Sequence, residues 1–268
     1  MLKINQVYNQ DCLEGMKKID NNTIDMILCD LPYGVTNCKW DNIIDFDKLW
    51  TQYKRVIRDS GAIVLTARQP FTSKLVMSNL KMFKHSLVWN KKQSGSFMNA
   101  KFMPLQITED VLIFSNGKVN YFPIMRTGKM RKRGGSKNIP QTVNHTGLKK
   151  GYFNYSNQYF PVNIIDITNK RTGIHPTEKP IDLFKYLIRT YSKEGDLILD
   201  NCMGSGTTAI ASKQLNRRFI GFEINDDYCK IINERLKQEV IRPNIKREYS
   251  ITKTASNKPK THLKVKRK

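Results

Sequence analysis

The chain of 268 residues carries 46 Lys and Arg against 23 Asp and Glu, a formal charge of +23 with a pI near 9.8. That length can bury a substantial core with room for an inserted lobe, and the charge favours a polyanionic partner, although basic charge also serves solubility. No apolar run approaches the roughly 20 residues that span a bilayer, no signal-peptide pattern opens the chain, and five scattered cysteines without a CxxC pair point to a reducing cytoplasm, with neither a disulfide framework nor a zinc site.

Taken in chain order, a short N-terminal strand leads into Asn9-Gln10-Asp11-Cys12, where Asp11 either accepts from a ligand amine or caps the turn holding Leu13 and Met16. Ile24 to Cys29 reads as a buried strand opening onto Asp30-Leu31-Pro32-Tyr33-Gly34. Phe46 to Arg58 has the spacing of an amphipathic helix. Ala62 to Thr66, Ser86 to Trp89 and Asp110 to Phe114 read as strands, with a helix from Pro70 to Leu80. From Val111 to Ile165 there is no acidic residue, while Arg126, Lys129, Arg131, Lys132, Arg133 and Lys137 stand between the aromatic residues Tyr121-Phe122 and Tyr152-Phe153 in loops and short strands. His175-Pro176-Thr177-Glu178-Lys179-Pro180 precedes a helix from Ile181 to Ser192. An apolar strand ending at Asp200 then runs through Asn201-Cys202-Met203-Gly204-Ser205-Gly206 into a helix from Thr207 to Leu215. The strand Arg218 to Glu223 and a helix from Asp226 to Glu239 follow, and Arg242 to Lys268 is a basic tail with one acid, Glu248. Strands alternating with helices predict a doubly wound α/β sheet, whose ligands sit beyond the carboxyl ends of the strands.

Two segments carry chemistry. The exocyclic amine of a nucleobase is a poor nucleophile because its lone pair is delocalised into the ring. The Asp30 carboxylate and the Leu31 carbonyl are two acceptors that can localise that pair, with the carbonyl aimed by Pro32. Tyr33 offers a face for the base. A plain turn explains the same residues. In the second segment, glycines let backbone approach a ligand at a helix N-terminus, and Glu223 at the next strand end is placed to hold ribose hydroxyls. The glycine turn alone also fits a nicotinamide cofactor and hence an oxidoreductase. Lys179 at a helix entrance can neutralise a ligand carboxylate, while Asp182 or Thr177 can simply cap that helix.

Together these motifs resemble the amino-methyltransferases of bacterial and phage DNA modification, in the permuted beta group whose catalytic box precedes the cofactor loop. The likeness runs from Val7 to about Leu236. Asp30, Leu31, Pro32 and Tyr33 match the family's catalytic box, with Leu31 where proline is more frequent. Asp200, Gly204, Ser205, Gly206 and Thr207 match the loop for S-adenosylmethionine, and Glu223 its ribose acid. Asn201 and Cys202 replace the frequent Pro-Phe. Asp11 and Cys12 match the adenine contact, and Lys179 with Pro180 the segment for the amino-acid end. The resemblance implies a mostly parallel, seven-stranded Rossmann-like methyltransferase sheet with an antiparallel edge hairpin. It divides the chain into a catalytic half (1–115), an inserted target-recognition region (116–170), a cofactor-binding half (171–240) and a flexible tail (241–268). It implies transfer to adenine N6 in double-stranded DNA, with cytosine N4 or an inactive DNA-binding homologue as alternatives. A homodimer and a cognate restriction endonuclease are the further partners it allows, and no membrane or metal is expected. Methylation at cytosine carbon five needs a Pro-Cys nucleophile, and none of the five cysteines follows a proline.

Overall fold

In chain order the elements are β1 (Gln6–Asn9), α1 (Cys12–Met16), β2 (Ile24–Cys29), α2 (Phe46–Val56), β3 (Ile57–Ala67), α3 (Phe71–Ser78), β4 (Phe83–Gly95) and β5 (Gln106–Phe114). They continue with β6 (Arg126–Arg133), β7 (Asn154–Tyr159), β8 (Ile164–Asp166), α4 (Ile181–Tyr191), β9 (Leu197–Asp200), α5 (Thr207–Gln214), β10 (Arg218–Glu223) and α6 (Asp226–Ile241). The computed structural model describes residues 2–34, 41–95, 97–133, 154–170 and 178–241. The expectations for Lys137, for His175 to Thr177 and for the tail beyond 241 lie outside these residues.

Ten strands form an eight-stranded sheet in the order β1-β10-β9-β2-β3-β5-β4-β8 and a separate two-stranded ribbon, β6-β7. All neighbours in the large sheet pair in parallel except β5, which runs antiparallel between β3 and β4. The expected seven strands are thus joined by β8 at the edge, tied to β4 by the Trp89 indole donating to the Ile167 carbonyl at 2.8 Å. β8 falls inside the 116–170 segment but belongs to the main sheet, so the described part of the insertion is the β6-β7 ribbon.

Period-two alternation sorts the core onto two faces. On one, Ile27 and Cys29 of β2 and Ile63 and Leu65 of β3 pack against Leu49, Trp50 and Tyr53 of α2 and Phe71 and Leu75 of α3. On the other, Met26 and Leu28 with Ala62 and Val64 meet Leu183, Leu187 and Ile188 of α4 and Ala211 of α5. Because both faces are covered, all six residues of β2 are buried, as expected for a central parallel strand. α2 starts at Asp45, whose side chain accepts from the Lys48 amide at 3.0 Å. It ends two residues earlier than its pattern suggests, where Ile57 turns to the extended φ −76°, ψ 140° and the chain enters β3 without a loop.

Candidate active site

Asp30 is the first residue beyond the buried end of β2. Its Oδ1 accepts from the Tyr33 hydroxyl at 2.6 Å and at short range from the Thr66 hydroxyl, and its Oδ2 accepts from Lys179 Nζ at 2.6 Å. Thr66 arrives on β3 because Leu65 is in register with Cys29. Lys179 Nζ also lies 3.5 Å from Glu109 Oε2, and Glu109 Oε1 lies 3.1 Å from Lys91 Nζ. The four side chains thus alternate in sign as Asp30, Lys179, Glu109 and Lys91. Burial works to depress the Lys179 ammonium, but the Asp30 and Glu109 carboxylates outweigh it and hold the group above its usual range. Burial, reinforced by Asp30, pushes the Tyr33 phenol well up, so it remains a donor.

Sequence reasoning missed Thr66, Glu109 and Lys91. The one signal available was the acid pair Glu109-Asp110, placed at the very edge of an acid-free stretch. On a strand such neighbours face opposite sides. Asp110 turns to α3 and takes the Thr72 hydroxyl at 2.7 Å, leaving Glu109 toward Asp30.

The glycine turn is braced from below. Asp200 is buried, accepting from the Cys202 amide at 3.0 Å and at short range from the Thr208 hydroxyl. Burial pushes its carboxyl up to about 7, against those two donors. Tyr53 of α2 donates to Asn201 Oδ1 at 2.5 Å. From α6, Arg235 donates to the Ser205 carbonyl at 2.5 Å and to Glu178 at 3.3 Å. Glu223 Oε2 accepts from the Gly204 amide at 2.7 Å and Oε1 from the Asn225 amide at 2.9 Å. Each carboxylate oxygen has a second lone-pair site. Gly204 has φ +53°, and a Cβ added there would meet nothing within 4 Å, so the backbone lies open to a ligand. Gly206, at φ +84°, is different: a Cβ would come within 2.8 Å of Ile232, which makes this glycine a packing requirement between α5 and α6.

One cavity of about 930 Å³ takes in Asp11, Cys12, the four residues Asp30 to Tyr33, Lys179, Asp200, Gly204, Ser205, Thr207 and Glu223. The catalytic box and the glycine turn therefore share a pocket. Pro180 and Gly206 are absent from its lining; Pro180 is buried at the start of α4. Asp11 does cap α1, accepting from the Leu13 and Glu14 amides at 2.9 and 3.1 Å, and it borders the cavity as well. The Cys12 thiol receives the Asn201 side-chain amide at 3.6 Å, and its contact with Cys202 leads the causes that lower it.

Two contacts add to the expectations. Lys179 pairs with the Asp30 carboxylate at 2.6 Å, which brings the entrance of α4 to the end of β2. The Tyr33 ring stacks on Phe71, with centroids 5.1 Å apart and planes at 26°, and the Lys179 ammonium stands 5.4 Å from its centroid. Among the described residues predicted to contact DNA, Arg126, Lys129 and Arg131 do not line the cavity. Arg126, Lys129 and Arg131 are exposed on β6, where Arg131 stands 5.7 Å over the Tyr159 ring; Lys132 and Arg133 complete the strand. Among the described residues no cluster could hold a metal, and no helix is long and apolar enough to cross a membrane.

A strand-end pocket that joins a carboxylate box to a glycine turn and a ribose-type acid defines a nucleoside-cofactor enzyme of the Rossmann-like class. The family described as DNA methylase matches residues 24–234. The chain belongs to that N6/N4 DNA methylase family and is a methyltransferase acting on DNA. It is 28% identical over 260 residues to the Type II methyltransferase M1.MboII of Moraxella bovis, covering 89% of this chain and 98% of that one. Identity to the DNA adenine methyltransferase YhdJ of Escherichia coli K12 is 29% over 256 residues, covering 86% and 82%. The crystal structure of an M1.HpyAVI–SAM complex superposes with a TM-score of 0.59 at 23% identity, covering 86% of this chain and 98% of that chain, which supports the fold.

Proposed function

We propose that this protein transfers the methyl group of S-adenosylmethionine to the N6 amine of adenine in double-stranded DNA. The observation that carries the reading is the common cavity of Asp30 and Gly204. S-adenosylmethionine, when bound, supplies an electrophilic methyl on a sulfonium. The chain's residues fit it: Gly204 leaves open space at a left-handed turn, and Glu223 keeps unused lone pairs beside it. Glu223 would hold the ribose, Asp11 and Cys12 would contact the adenine, and Gly204, Ser205 and Thr207 would hold the remainder.

Asp30 Oδ2 and the Leu31 carbonyl accept the hydrogens of the target amine, drawing its nitrogen toward tetrahedral geometry and stabilising the charge that develops there. Tyr33 and Thr66 hold Oδ1, so the carboxylate cannot rotate away as Oδ2 exchanges Lys179 for the amine. A paired base cannot reach this pocket, so the target nucleotide leaves the stack, at a cost of a few kcal/mol. Adenine is favoured because the box opens on Asp, as in the adenine enzymes it resembles, and because the relative YhdJ is named for adenine. The β6-β7 ribbon supplies phosphate and base-edge contacts through Arg126, Lys129 and Arg131. The Type II naming of M1.MboII supports a restriction–modification setting with a cognate endonuclease. Incubation with labelled cofactor and mixed-sequence duplex, followed by mass spectrometry of the nucleosides, should yield N6-methyl-2′-deoxyadenosine. A product with the mass of methylcytidine would move the assignment to cytosine N4, and absence of label would end the reading.

A further inference from the structure

The long β4-β5 hairpin rises from the rim of the cavity, since Gly95, Lys91 and Glu109 all line it. The base of its loop is closed by Gly95 pairing with Gln106. Because β5 runs against the other strands, this loop projects from the same carboxyl edge as Asp30. At its tip the chain makes a short 3-10 turn, Phe97–Asn99, held by Ala100 N to Phe97 O at 3.1 Å. Asn99 O then accepts from the amides of Phe102 and Met103 at 2.9 and 3.0 Å. The turn is built by its own backbone, and its large apolar side chains stand mostly in solvent: Phe97 is 68% exposed, Met98 93%, Phe102 87% and Met103 56%.

Four large apolar side chains on one exposed turn incur a hydration cost without a folded-state return, which marks a contact surface. Its charge limits the partner. Between Trp89 and Thr108 there is no acid; Lys91 is taken up by Glu109 at 3.1 Å, and the exposed Lys92 and Lys101 flank the tip. An apolar point set in a cationic collar, at the mouth of a pocket that must receive a base, matches a polyanion with an apolar interior. A duplex opened at one step has that character, because the gap left by the departing base is lined by ring faces and bordered by phosphates.

We propose that the Phe97–Met103 tip is a wedge that enters the duplex at the target pair and fills the stack the extruded base vacates, with Phe102 and Met98 as its inserting side chains. The proposal rests on methyl transfer to a base drawn out of duplex DNA. The side chains are positioning groups; none touches the reacting atoms.

The test compares wild type, F102A, M98A and the conservative F102L on two substrates and one fluorescent binding probe that share one recognition site. These are a fully paired duplex, the same duplex with the target base opposite a mismatch, and one with 2-aminopurine at the target. Wild-type turnover on the paired duplex establishes the methylation reading independently of the wedge. F102A and M98A are expected to lose at least about tenfold in kcat/KM on the paired duplex and to recover to within about twofold on the mismatch, where opening is already cheap. F102L should remain near wild type, and the 2-aminopurine fluorescence rise on binding should shrink in F102A. Equal losses on paired and mismatched DNA, or unchanged turnover on the paired duplex, would overturn the proposal. So would a change in sedimentation of F102A without a change in substrate preference, which would make the tip a contact between copies of the chain.

Discussion

Replacing Lys179 with methionine tests the electrostatic design of the site most directly. The ammonium sits 2.6 Å from Asp30 and 3.5 Å from Glu109, and the three side chains are only 8%, 22% and 14% exposed. Methionine keeps much of the volume and removes the charge, so two carboxylates face each other with their shared cation gone. Removing one partner from a buried pair typically costs about 3–5 kcal/mol; with Asp30 partly open to solvent, the low end, about 3 kcal/mol, is expected. Urea denaturation followed by circular dichroism at pH 7 measures it. K179M/E109Q should regain roughly half, because one stranded charge is gone, giving a coupling energy of about 1–2 kcal/mol in the cycle. The pH dependence has a fixed sign. Against burial, the two carboxylate partners hold the folded-state Lys179 ammonium above its usual value of 10.5, so its stabilisation is present below that pH and lost as pH rises through the folded value. K179M lacks this alkaline loss. If K179M unfolds within about 0.5 kcal/mol of wild type while calorimetry shows cofactor affinity weakened more than about tenfold, the Asp30 pairing argument fails. Lys179 would then serve the amino-acid end of the cofactor, as the family resemblance implies.

Asp30→Asn preserves shape and lowers the acceptor strength at Oδ2; methyl transfer is expected to fall at least about a hundredfold while calorimetric cofactor binding persists. Burial raises Asp200 from 3.8 to about 7, so its contribution to stability is full below pH 4 and is lost as pH rises through about 7. The unfolding free energy of wild type relative to D200N should therefore drop by up to about 4 kcal/mol across that window, and a flat difference would show that Asp200 titrates normally. Lys129→Gln and Arg131→Gln should each reduce the slope of log affinity against log salt by about 1 without altering which base is methylated; unchanged slopes would remove the β6-β7 ribbon from the phosphate contacts.

The elements that could be read in the sequence are those whose pattern is local and sharp. β2 and β10 are bounded by Asp30 and by Glu223, α4 carries apolar residues at helical spacing between a proline start and a polar stop, and α5 is marked by the glycine turn that precedes it. β3 was half read: its first turn of strand, Arg58-Asp59-Ser60, is exposed and continues the polar face of α2, so the boundary has no compositional mark. β8 has three residues, too few for any periodicity, and owes its place to Trp89 and β4. In the site, Asp30, Gly204 and Glu223 were legible because each sits at a strand end with turn chemistry around it. Thr66, Glu109 and Lys91 were not, since their role depends on the register of β3, β4 and β5 against β2. Lys179 was found as a ligand-facing residue but given a different neighbour, because nothing in the chain order says that α4 begins against β2.

The strand order explains why the separation of the motifs along the chain does not disturb the chemistry. β1, β10, β9 and β2 are consecutive neighbours in the sheet, and their carboxyl ends carry Asp11, Glu223, Asp200 and Asp30. Registers align Asn9 with Glu223 and Gly221 with Asp200, while Ile27 lies beside Leu199. With about 4.8 Å between parallel strands, Glu223 on β10 lies two strand spacings, roughly 10 Å, from β2. Under the proposed function, a nucleoside held by Glu223 would have its reactive end within reach of Asp30 along the glycine turn after β9. The proposed nitrogen acceptors and the methyl donor would meet because adjacent strands end together. An exchange of which segment the chain visits first would leave that meeting intact.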